Sequence, residues 1–216
     1  MRRFALSSLV VCGVVVGVLL CSARGRLNLA QEVPRQNAAV REPDVVFVPT
    51  PNDVVDDMLW MARLTRGDIV YDLGCGDGRI VVAAAKRYGC KAHGFDIDPE
   101  RVRESIDNVK KNRLEHLIRI EQKDIFELDL TPASVVTLYL LPELNVKLVP
   151  QLQRLRPGTR VVSHDFDIEG YKPDRILYLT SKEDQMEHTV FLWTIPLKKE
   201  ELQEENNADA AAEPVE

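Results

Sequence analysis

Between residues 51 and 195, short apolar runs alternate with stretches in which apolar residues recur at helical spacing. Apolar runs of about four to eight residues, bounded by turn residues, are typical of strands buried in a sheet. Five such runs predict strands, at 68–73, 91–96, 117–121, 134–139 and 159–163. Two further runs end this region and predict an antiparallel pair, 175–180 and 187–195.

The stretches between these runs place apolar residues three and four positions apart, which is typical of helices with one buried face. The predicted helices cover 51–64, 79–88, a segment that begins at Asp98-Pro99, and 143–155. Pro150 interrupts the last segment, and we expect it to open a second short helix because proline cannot donate a backbone hydrogen bond. Strands alternating with helices predict an α/β fold, with a mostly parallel sheet covered on both faces and a C-terminal antiparallel hairpin.

Three glycines at alternate positions follow the first predicted strand in the segment VYDLGCGDGRI: Gly74, Gly76 and Gly78. In open α/β sheets, ligands bind beyond the carboxyl ends of the strands, and glycine lets a ligand approach the main chain closely. A dinucleotide fingerprint would need glycine where Arg79 stands, and a P-loop would need Gly-Lys-Ser/Thr. Because Asp72 and Asp77 would repel a pyrophosphate, the loop predicts a ligand with cationic groups and hydroxyls.

The segment DLGCGDG resembles the acidic-x-G-x-G-x-G motif of class I S-adenosylmethionine-dependent methyltransferases. Two acids stand where that family expects them: Asp96, in HGFDIDP, ends the second strand, and Asp124, in EQKDIF, follows the third. The resemblance covers about residues 45–197 and implies a Rossmann-like class I methyltransferase fold that uses S-adenosyl-L-methionine and requires no metal. Taken singly, either acid could instead cap a helix or sit in a turn.

This resemblance implies a role for each residue of the cofactor site. Asp72 would lie near the glycine loop and the amino end of the cofactor, Asp96 would accept hydrogen bonds from both ribose hydroxyls, and Asp124 would accept one from the adenine amino group. Ile97 and Ile125 would enclose the flat base. The implied cofactor-binding residues are Asp72, Gly74, Gly76, Gly78, Asp96, Ile97, Asp124 and Ile125.

The methyl acceptor in this fold should lie near the ends of the fourth and fifth strands, in TLYLLPEL and VVSHDF. The pocket candidates are Tyr139, Pro142, His164 and Phe166. The Asn-Pro-Pro-Tyr signature of enzymes that methylate amino groups of nucleic acids and of glutamine is absent, and Leu140-Leu141-Pro142 stands in its place. His164 could act as a base, although a strand-end histidine satisfied by its neighbours is the favoured interpretation.

Three longer segments, VPTP, YDLGCGDGRIVVAAAKR and RVVSHDF…KPD, resemble small bacterial membrane-associated methyltransferases. They are also similar to the mitochondrial protein-lysine methyltransferases of the ATP synthase c-subunit and the adenine nucleotide translocase. This resemblance implies a protein-lysine N-methyltransferase, although Asp96 stands where those enzymes have glutamate. A methyltransferase that acts on a quinone or lipid, and a cofactor-binding pseudoenzyme, are the alternatives.

Charge is distributed unevenly along the 216 residues, whose net charge is −6. The first 30 residues hold four arginines and no acids, whereas residues 198–216 hold seven acids and two lysines. The body of the chain has no basic run, which argues against a nucleic-acid partner. The four cysteines show neither the pattern of a disulfide framework nor metal-ligand spacing.

The apolar run at 9–21 predicts a signal peptide or a membrane anchor. The predicted division of the chain is 1–23 for this segment, 24–48 for a linker, 49–197 for the methyltransferase domain and 198–216 for a disordered acidic tail. Because S-adenosylmethionine is made in the cytoplasm, we expect an uncleaved anchor and a monomeric domain that faces the cytoplasm. A cleaved signal and an exported domain are the alternative, since Cys21-Ser22-Ala23 fits a cleavage site.

Overall fold

The computed structural model describes residues 47–200. Its helices are α1 (Asn52–Met61), α2 (Arg79–Tyr88), α3 (Pro99–Lys111) and α4 (Pro142–Leu152), with a 3₁₀ turn at Ile125–Glu127. Its strands are β1 (Ile69–Leu73), β2 (Lys91–Asp96), β3 (Ile118–Gln122), β4 (Val135–Leu138), β5 (Arg160–His164), β6 (Tyr171–Lys172), β7 (Arg175–Thr180), β8 (Glu187–Thr194) and β9 (Lys198–Lys199).

The predicted signal peptide or anchor, most of the predicted linker and most of the predicted acidic tail lie outside the described residues.

Seven strands form one sheet in the order β3-β2-β1-β4-β5-β8-β7. The strands β1 to β5 run parallel, and β8 pairs antiparallel with both β5 and β7. After β3 the chain returns past β1 and forms β4 on its other side, so the strand order reverses between β1 and β4. This topology confirms the predicted mostly parallel sheet with an antiparallel C-terminal hairpin. It also places a ligand-binding crevice at the carboxyl ends of β1 and β4.

Helices cover both faces of the sheet. On one face, α1 and α2 bury a cluster that includes Met58 and Val81. On the other face, α4 buries Leu148 and Leu152 in a cluster with Trp193. Full burial of a side chain of this size contributes about 1.5–3 kcal/mol, so the two clusters hold the strand ends, and the loops that follow them, on a rigid support.

Two helices differ from the prediction. α1 covers Asn52–Met61 rather than 51–64, and it has no side-chain cap because Pro51 stands at its N-cap position. The Thr50 hydroxyl lies 3.1 Å from Nδ1 of His164. α4 continues without a break through Pro150, so the expectation of a second short helix there was wrong. Pro150 and Val146 are both exposed, and water can therefore bind the Val146 carbonyl that loses its helical partner.

The strands of the main sheet agree with the prediction to within one residue at each end. The two-residue strands β6 and β9 pair with each other and were not predicted, because two residues are too few to show a periodicity. β9 lies at the start of the predicted disordered tail, and Phe47 and Val48 of the predicted linker belong to the described structure. Cys75 and Cys90 are free and buried. Within residues 47–200, no helix is both long enough and apolar enough to cross a membrane.

Candidate cofactor and acceptor site

The glycine loop lies between β1 and α2 and contacts its surroundings through the main chain. The amides of Gly74 and Cys75 both donate to the Phe95 carbonyl oxygen, at 2.8 and 2.9 Å, which fixes the loop to the end of β2. Gly76 has a φ of 54°, and a Cβ there would lie 2.0 Å from the ring of Phe47. The loop therefore packs closely against neighbouring side chains, and an L-residue does not fit at its centre.

Asp72 is a buried carboxylate in β1, one residue before the strand ends and this loop begins. Its Oδ1 accepts a hydrogen bond from the Thr137 hydroxyl at 2.7 Å, whereas its Oδ2 is buried and has no hydrogen-bond partner among residues 47–200. Burial raises the pKa of Asp72 to about 7, against the hydrogen bond from Thr137, and the nearby Asp96 and Asp77 charges add to the rise. An oxygen in this state can be satisfied by a cation, and the ammonium group of the methionine part of S-adenosylmethionine is one. The residues present thus fit the cofactor.

Asp96 ends β2 and is held by the backbone. Its Oδ2 accepts from the Gly76 amide and its Oδ1 from the Asp98 amide, both at 2.9 Å. Burial raises the pKa of Asp96, although these two amide bonds lower it in part. Because each carboxylate oxygen has a second lone pair, this fixed carboxylate could also accept hydrogen bonds from two ribose hydroxyls.

The remaining predicted cofactor residues follow β2 and β3, which are neighbours in the sheet. Ile97 is half-buried just after β2, and its carbonyl oxygen accepts from the side-chain Nε2 of Gln122 at 3.0 Å. Asp124 caps the 3₁₀ turn by accepting from the Phe126 amide at 2.9 Å. Ile125 begins that turn and packs against the cluster beneath α4. The structure thus brings these side chains to the same edge of the sheet as Asp96, where they could hold an adenosine group.

The predicted acceptor residues lie at the ends of β4 and β5. The ring centroids of Tyr139 and His164 are 4.0 Å apart, and Tyr139 stacks on Phe166 with centroids 6.1 Å apart and an interplanar angle of 20°. Tyr139 and Phe166 are both half-buried. Pro142 begins α4 and is half-buried as well. The arrangement at the strand ends is therefore a pair of stacked rings that can line an apolar channel.

His164 is enclosed behind these rings. Its side chain is 0% exposed, its Nδ1 lies 3.1 Å from the Thr50 hydroxyl, and its Nε2 lies 2.9 Å from Nδ1 of His188. Asp165 Oδ2 lies 3.2 Å from His164 Nε2 and 3.0 Å from His188 Nδ1. Burial lowers the pKa of His164 to about 4, although Asp165 opposes this shift, so the imidazole is neutral near pH 7. Thr50 belongs to the VPTP segment, but the sequence assigned neither Thr50 nor His188 a role beside His164, because only the folded sheet brings them together.

The segment before α1 joins this cluster to the glycine loop, which sequence reasoning missed. Arg79 donates through Nη1 to the Thr50 carbonyl oxygen at 2.7 Å. The same guanidinium pairs with Asp77, with Nη2 2.6 Å from Oδ2. The charge of Asp77, expected to repel a pyrophosphate, is thus paired with Arg79. Thr50 holds the loop through its carbonyl and the histidine through its hydroxyl.

The fold and the polar groups at this edge of the sheet define the chain as a class I S-adenosylmethionine-dependent methyltransferase. The sequence model of the ANTKMT methyltransferase domain matches residues 72–175. The chain is 46% identical over 155 residues to a protein-lysine N-methyltransferase from Saccharolobus islandicus, which covers 71% of this chain and 95% of that protein. The chain therefore belongs to the family of protein-lysine methyltransferases that includes this relative.

Two further similarities agree with this assignment. The lysine N-methyltransferase of the ATP synthase c-subunit from Xenopus laevis is 31% identical over 169 residues, which covers 78% of this chain and 71% of that protein. An RNA methyltransferase from Salinibacter ruber, solved in complex with S-adenosyl-L-homocysteine, is 48% identical, with a TM-score of 0.64 and coverage of 69% of this chain and 94% of that one. These findings confirm the predicted Rossmann-like methyltransferase fold and S-adenosyl-L-methionine as the cofactor.

Proposed function

We propose that this protein is a protein-lysine N-methyltransferase, which transfers the methyl group of S-adenosylmethionine to the side-chain nitrogen of lysine. The proposal is carried by the 46% identity to the Saccharolobus islandicus protein-lysine N-methyltransferase, in a match that covers 95% of the length of that enzyme. The similarity to the Xenopus laevis enzyme that acts on a lysine of the ATP synthase c-subunit points to the same acceptor chemistry.

The residues at the carboxyl edge would hold the cofactor as follows. The buried Oδ2 of Asp72 would accept from the ammonium group, and the backbone-fixed Asp96 would accept from the ribose hydroxyls. Asp124 would accept from the adenine amino group, between the side chains of Ile97 and Ile125. The bound sulfonium supplies a methyl group that is already activated, so the protein acts by orienting the acceptor and excluding water.

The stacked rings at the strand ends fit a lysine acceptor. Only the neutral amine of lysine has the lone pair that attacks a methyl group, and an apolar channel favours this form by lowering the pKa of lysine. Tyr139 and Phe166 supply aromatic walls to such a channel. Their faces also attract the methylammonium group of the product.

RNA is a second candidate acceptor, favoured by the 48% identity to a structure described as an RNA methyltransferase. The charge of the domain favours protein. Residues 47–200 contain 22 basic and 25 acidic side chains, whereas a protein that binds a nucleic-acid backbone concentrates Lys and Arg on one surface. A quinone or lipid acceptor would need the same apolar channel. It would be distinguished from lysine only by the molecule that carries the methyl group after the reaction.

One labelling experiment separates these acceptors. The purified full-length protein is incubated with S-adenosylmethionine tritiated at the methyl group and with cell extract, which is then divided into protein, RNA and lipid. We expect the label in protein, and as methyllysine after acid hydrolysis. An Asp96→Ala variant, which lacks the ribose acceptor, is the inactive control. Label in RNA or lipid that depends on Asp96 would contradict the lysine proposal.

We further infer that the apolar residues 9–21 attach the protein to a membrane with the domain on the cytoplasmic side. The support is the basic, apolar pattern of the N-terminus, together with the cytoplasmic synthesis of the cofactor. Protease added to spheroplasts should leave the domain intact, and it should digest the domain after lysis. Digestion from outside, or a mature N-terminus near residue 24, would support an exported protein instead.

A further inference from the structure

The geometry points to a site for a divalent transition-metal ion where β5 meets β8, formed by His164 Nε2, His188 Nδ1 and Asp165 Oδ2. Each of the three residues offers one ligand atom: His164 ends β5, Asp165 follows it, and His188 lies in β8. The three atoms lie 2.9, 3.0 and 3.2 Å from one another. The site is separate from the residues that fit the cofactor, and S-adenosylmethionine chemistry does not require it.

The spacing of the three atoms fits a metal ion. Imidazole nitrogens and carboxylate oxygens bind such ions at about 2.0–2.2 Å. Adjacent ligands at this distance are separated by about 3.0 Å in octahedral geometry and about 3.4 Å in tetrahedral geometry. The observed separations of 2.9 to 3.2 Å fall at the octahedral end of this range. Two histidines and one carboxylate on one face of an ion form a known arrangement of such sites.

The three atoms His164 Nε2, His188 Nδ1 and Asp165 Oδ2 form a triangle, and hydrogen bonds alone cannot join all three pairs of atoms. Each imidazole nitrogen carries either a hydrogen or a lone pair, and an ionised carboxylate oxygen only accepts. If both nitrogens carry hydrogens, two donors face each other at 2.9 Å. If only one does, the lone pairs of the other nitrogen and of Asp165 Oδ2 face each other, at 3.0 or 3.2 Å. An ion that accepts all three lone pairs satisfies every side.

The outer nitrogens of both histidines have the partners that metal-bound histidines usually have. The second ring nitrogen of a ligating histidine commonly bonds to a carboxylate or another polar group that fixes its orientation. His188 Nε2 lies 3.2 Å from Asp184 Oδ2, and His164 Nδ1 lies 3.1 Å from the Thr50 hydroxyl. Each imidazole is thus oriented so that its other nitrogen points to the proposed ion.

Asp165 is held in place by the backbone of Thr189 in β8. It has a positive φ of 57°, which aspartate tolerates better than most residues. Its amide donates to the Thr189 carbonyl oxygen at 2.7 Å, and its Oδ1 accepts from the Thr189 amide at 2.8 Å. One carboxylate oxygen therefore fixes the side chain, and Oδ2 is left to face the histidines.

The donor set and the burial indicate which ions fit and how they enter. Two imidazoles with one carboxylate favour Zn²⁺, Fe²⁺, Co²⁺ or Ni²⁺ over Mg²⁺ and Ca²⁺, which prefer oxygen ligands. The His164 and His188 side chains are 0% and 6% exposed, and that of Asp165 is 27% exposed, so an ion would enter past Asp165. The sequence predicted no metal because the cysteines lack ligand spacing. The two histidines come together only through the pairing of β5 with β8, in which His164 lies opposite Val190.

Metal titration of the full-length protein tests the site. After dialysis against EDTA, Zn²⁺ is added in a calorimeter and Co²⁺ in a visible spectrometer. We expect one equivalent of either ion to bind, with Co²⁺ absorption bands typical of nitrogen and oxygen ligands. Asp165→Asn keeps the size of the side chain and its tolerance of positive φ but removes the charged ligand, and it should weaken binding on the order of tenfold or more. His188→Gln should do the same.

The exposed His116 provides the matched control, since it lies outside the cluster and His116→Ala should bind the ions as the unchanged protein does. The unfolding temperature of the unchanged protein should rise when Zn²⁺ is added, and that of Asp165→Asn should not. Failure of the unchanged protein to take up Zn²⁺ or Co²⁺ would overturn the proposal. So would uptake that both Asp165→Asn and His188→Gln retain, because the ion would then bind elsewhere.

Discussion

Replacing Gly78 by alanine tests the close packing around the cofactor loop. Gly78 precedes α2 with a φ of 75°, and a Cβ there would lie 2.3 Å from the Ser105 hydroxyl oxygen of α3. The left-handed conformation costs an L-residue about 1–2 kcal/mol. An added methyl group in a filled site costs about 1–3 kcal/mol more. We therefore expect Gly78→Ala to lower the free energy of unfolding by about 2–5 kcal/mol.

Gly158→Ala is the matched control for the backbone contribution. Gly158 has a φ of 87°, and no heavy atom lies within 4 Å of the position of its Cβ. Its substitution should cost only the conformational part, about 1–2 kcal/mol. The difference between the two variants is then the cost of the contact with Ser105.

Urea denaturation followed by circular dichroism measures both losses, and Ser105→Ala completes a double-mutant cycle. Removal of the Ser105 hydroxyl relieves the 2.3 Å contact but leaves Ser105 Cβ at 3.2 Å, so it should restore part of the stability that Gly78→Ala loses. A Gly78→Ala loss no larger than that of Gly158→Ala, or additive effects at positions 78 and 105, would refute the reasoning.

Three further predictions concern the site and its support. Asp96→Ala should weaken binding of S-adenosylhomocysteine by about 1.5–3 kcal/mol for each charge-assisted bond lost, as measured by calorimetry. Asp98→Ala, which removes a neighbouring acid that caps α3, should leave this affinity unchanged, and equal losses in the two variants would contradict the ribose assignment. Burial raises the pKa of Asp72 to about 7, so in the absence of cofactor the folded protein binds a proton at the Asp72 carboxyl more tightly than the unfolded chain does. The free energy of unfolding should therefore fall as the pH rises from about 4 to about 7. In Asp72→Asn this fall should be smaller in urea titrations across that range, and an unchanged pH profile would count against the raised pKa. Pro150→Ala should restore the hydrogen bond to the Val146 carbonyl and raise the free energy of unfolding by about 1 kcal/mol or more, whereas a loss of stability in thermal unfolding would show that the proline is needed within α4.

The sequence predicted elements well where turn residues bound an apolar run. The bounds of α2 agree with the prediction because Gly78 and Gly89 enclose this helix. The bounds of β2 agree because Asp98-Pro99 begins the next helix. Those of β7 agree as well. The glycine loop could be placed for the same reason, since it joins a buried strand to a helix in one continuous segment. Information of this kind is local and can be read from neighbouring residues.

The contacts that shape the acceptor side are not local, and the sequence could not give them. His164 meets Thr50 across 114 positions and His188 across 24 positions. No spacing rule connects such residues, because β8 is inserted between β5 and β7 only when the sheet forms. The segment that contains Phe47 was predicted as linker for a similar reason. The Phe47 ring lies against Gly76, and Cζ of Arg101 lies 5.1 Å from the centroid of this ring. Neither contact produces a periodic pattern in the sequence.

The position of Phe47 and Thr50 determines where the chain joins the catalytic domain. Phe47 packs on the cofactor loop, and Thr50 is bound to Arg79 and His164, so the polypeptide that precedes residue 47 is covalently attached at the carboxyl edge of the sheet. A target bound by the preceding residues would be presented at an effective concentration that reaches the millimolar range for short flexible tethers. Delivery by the N-terminal region would then contribute to the choice of which lysines are methylated.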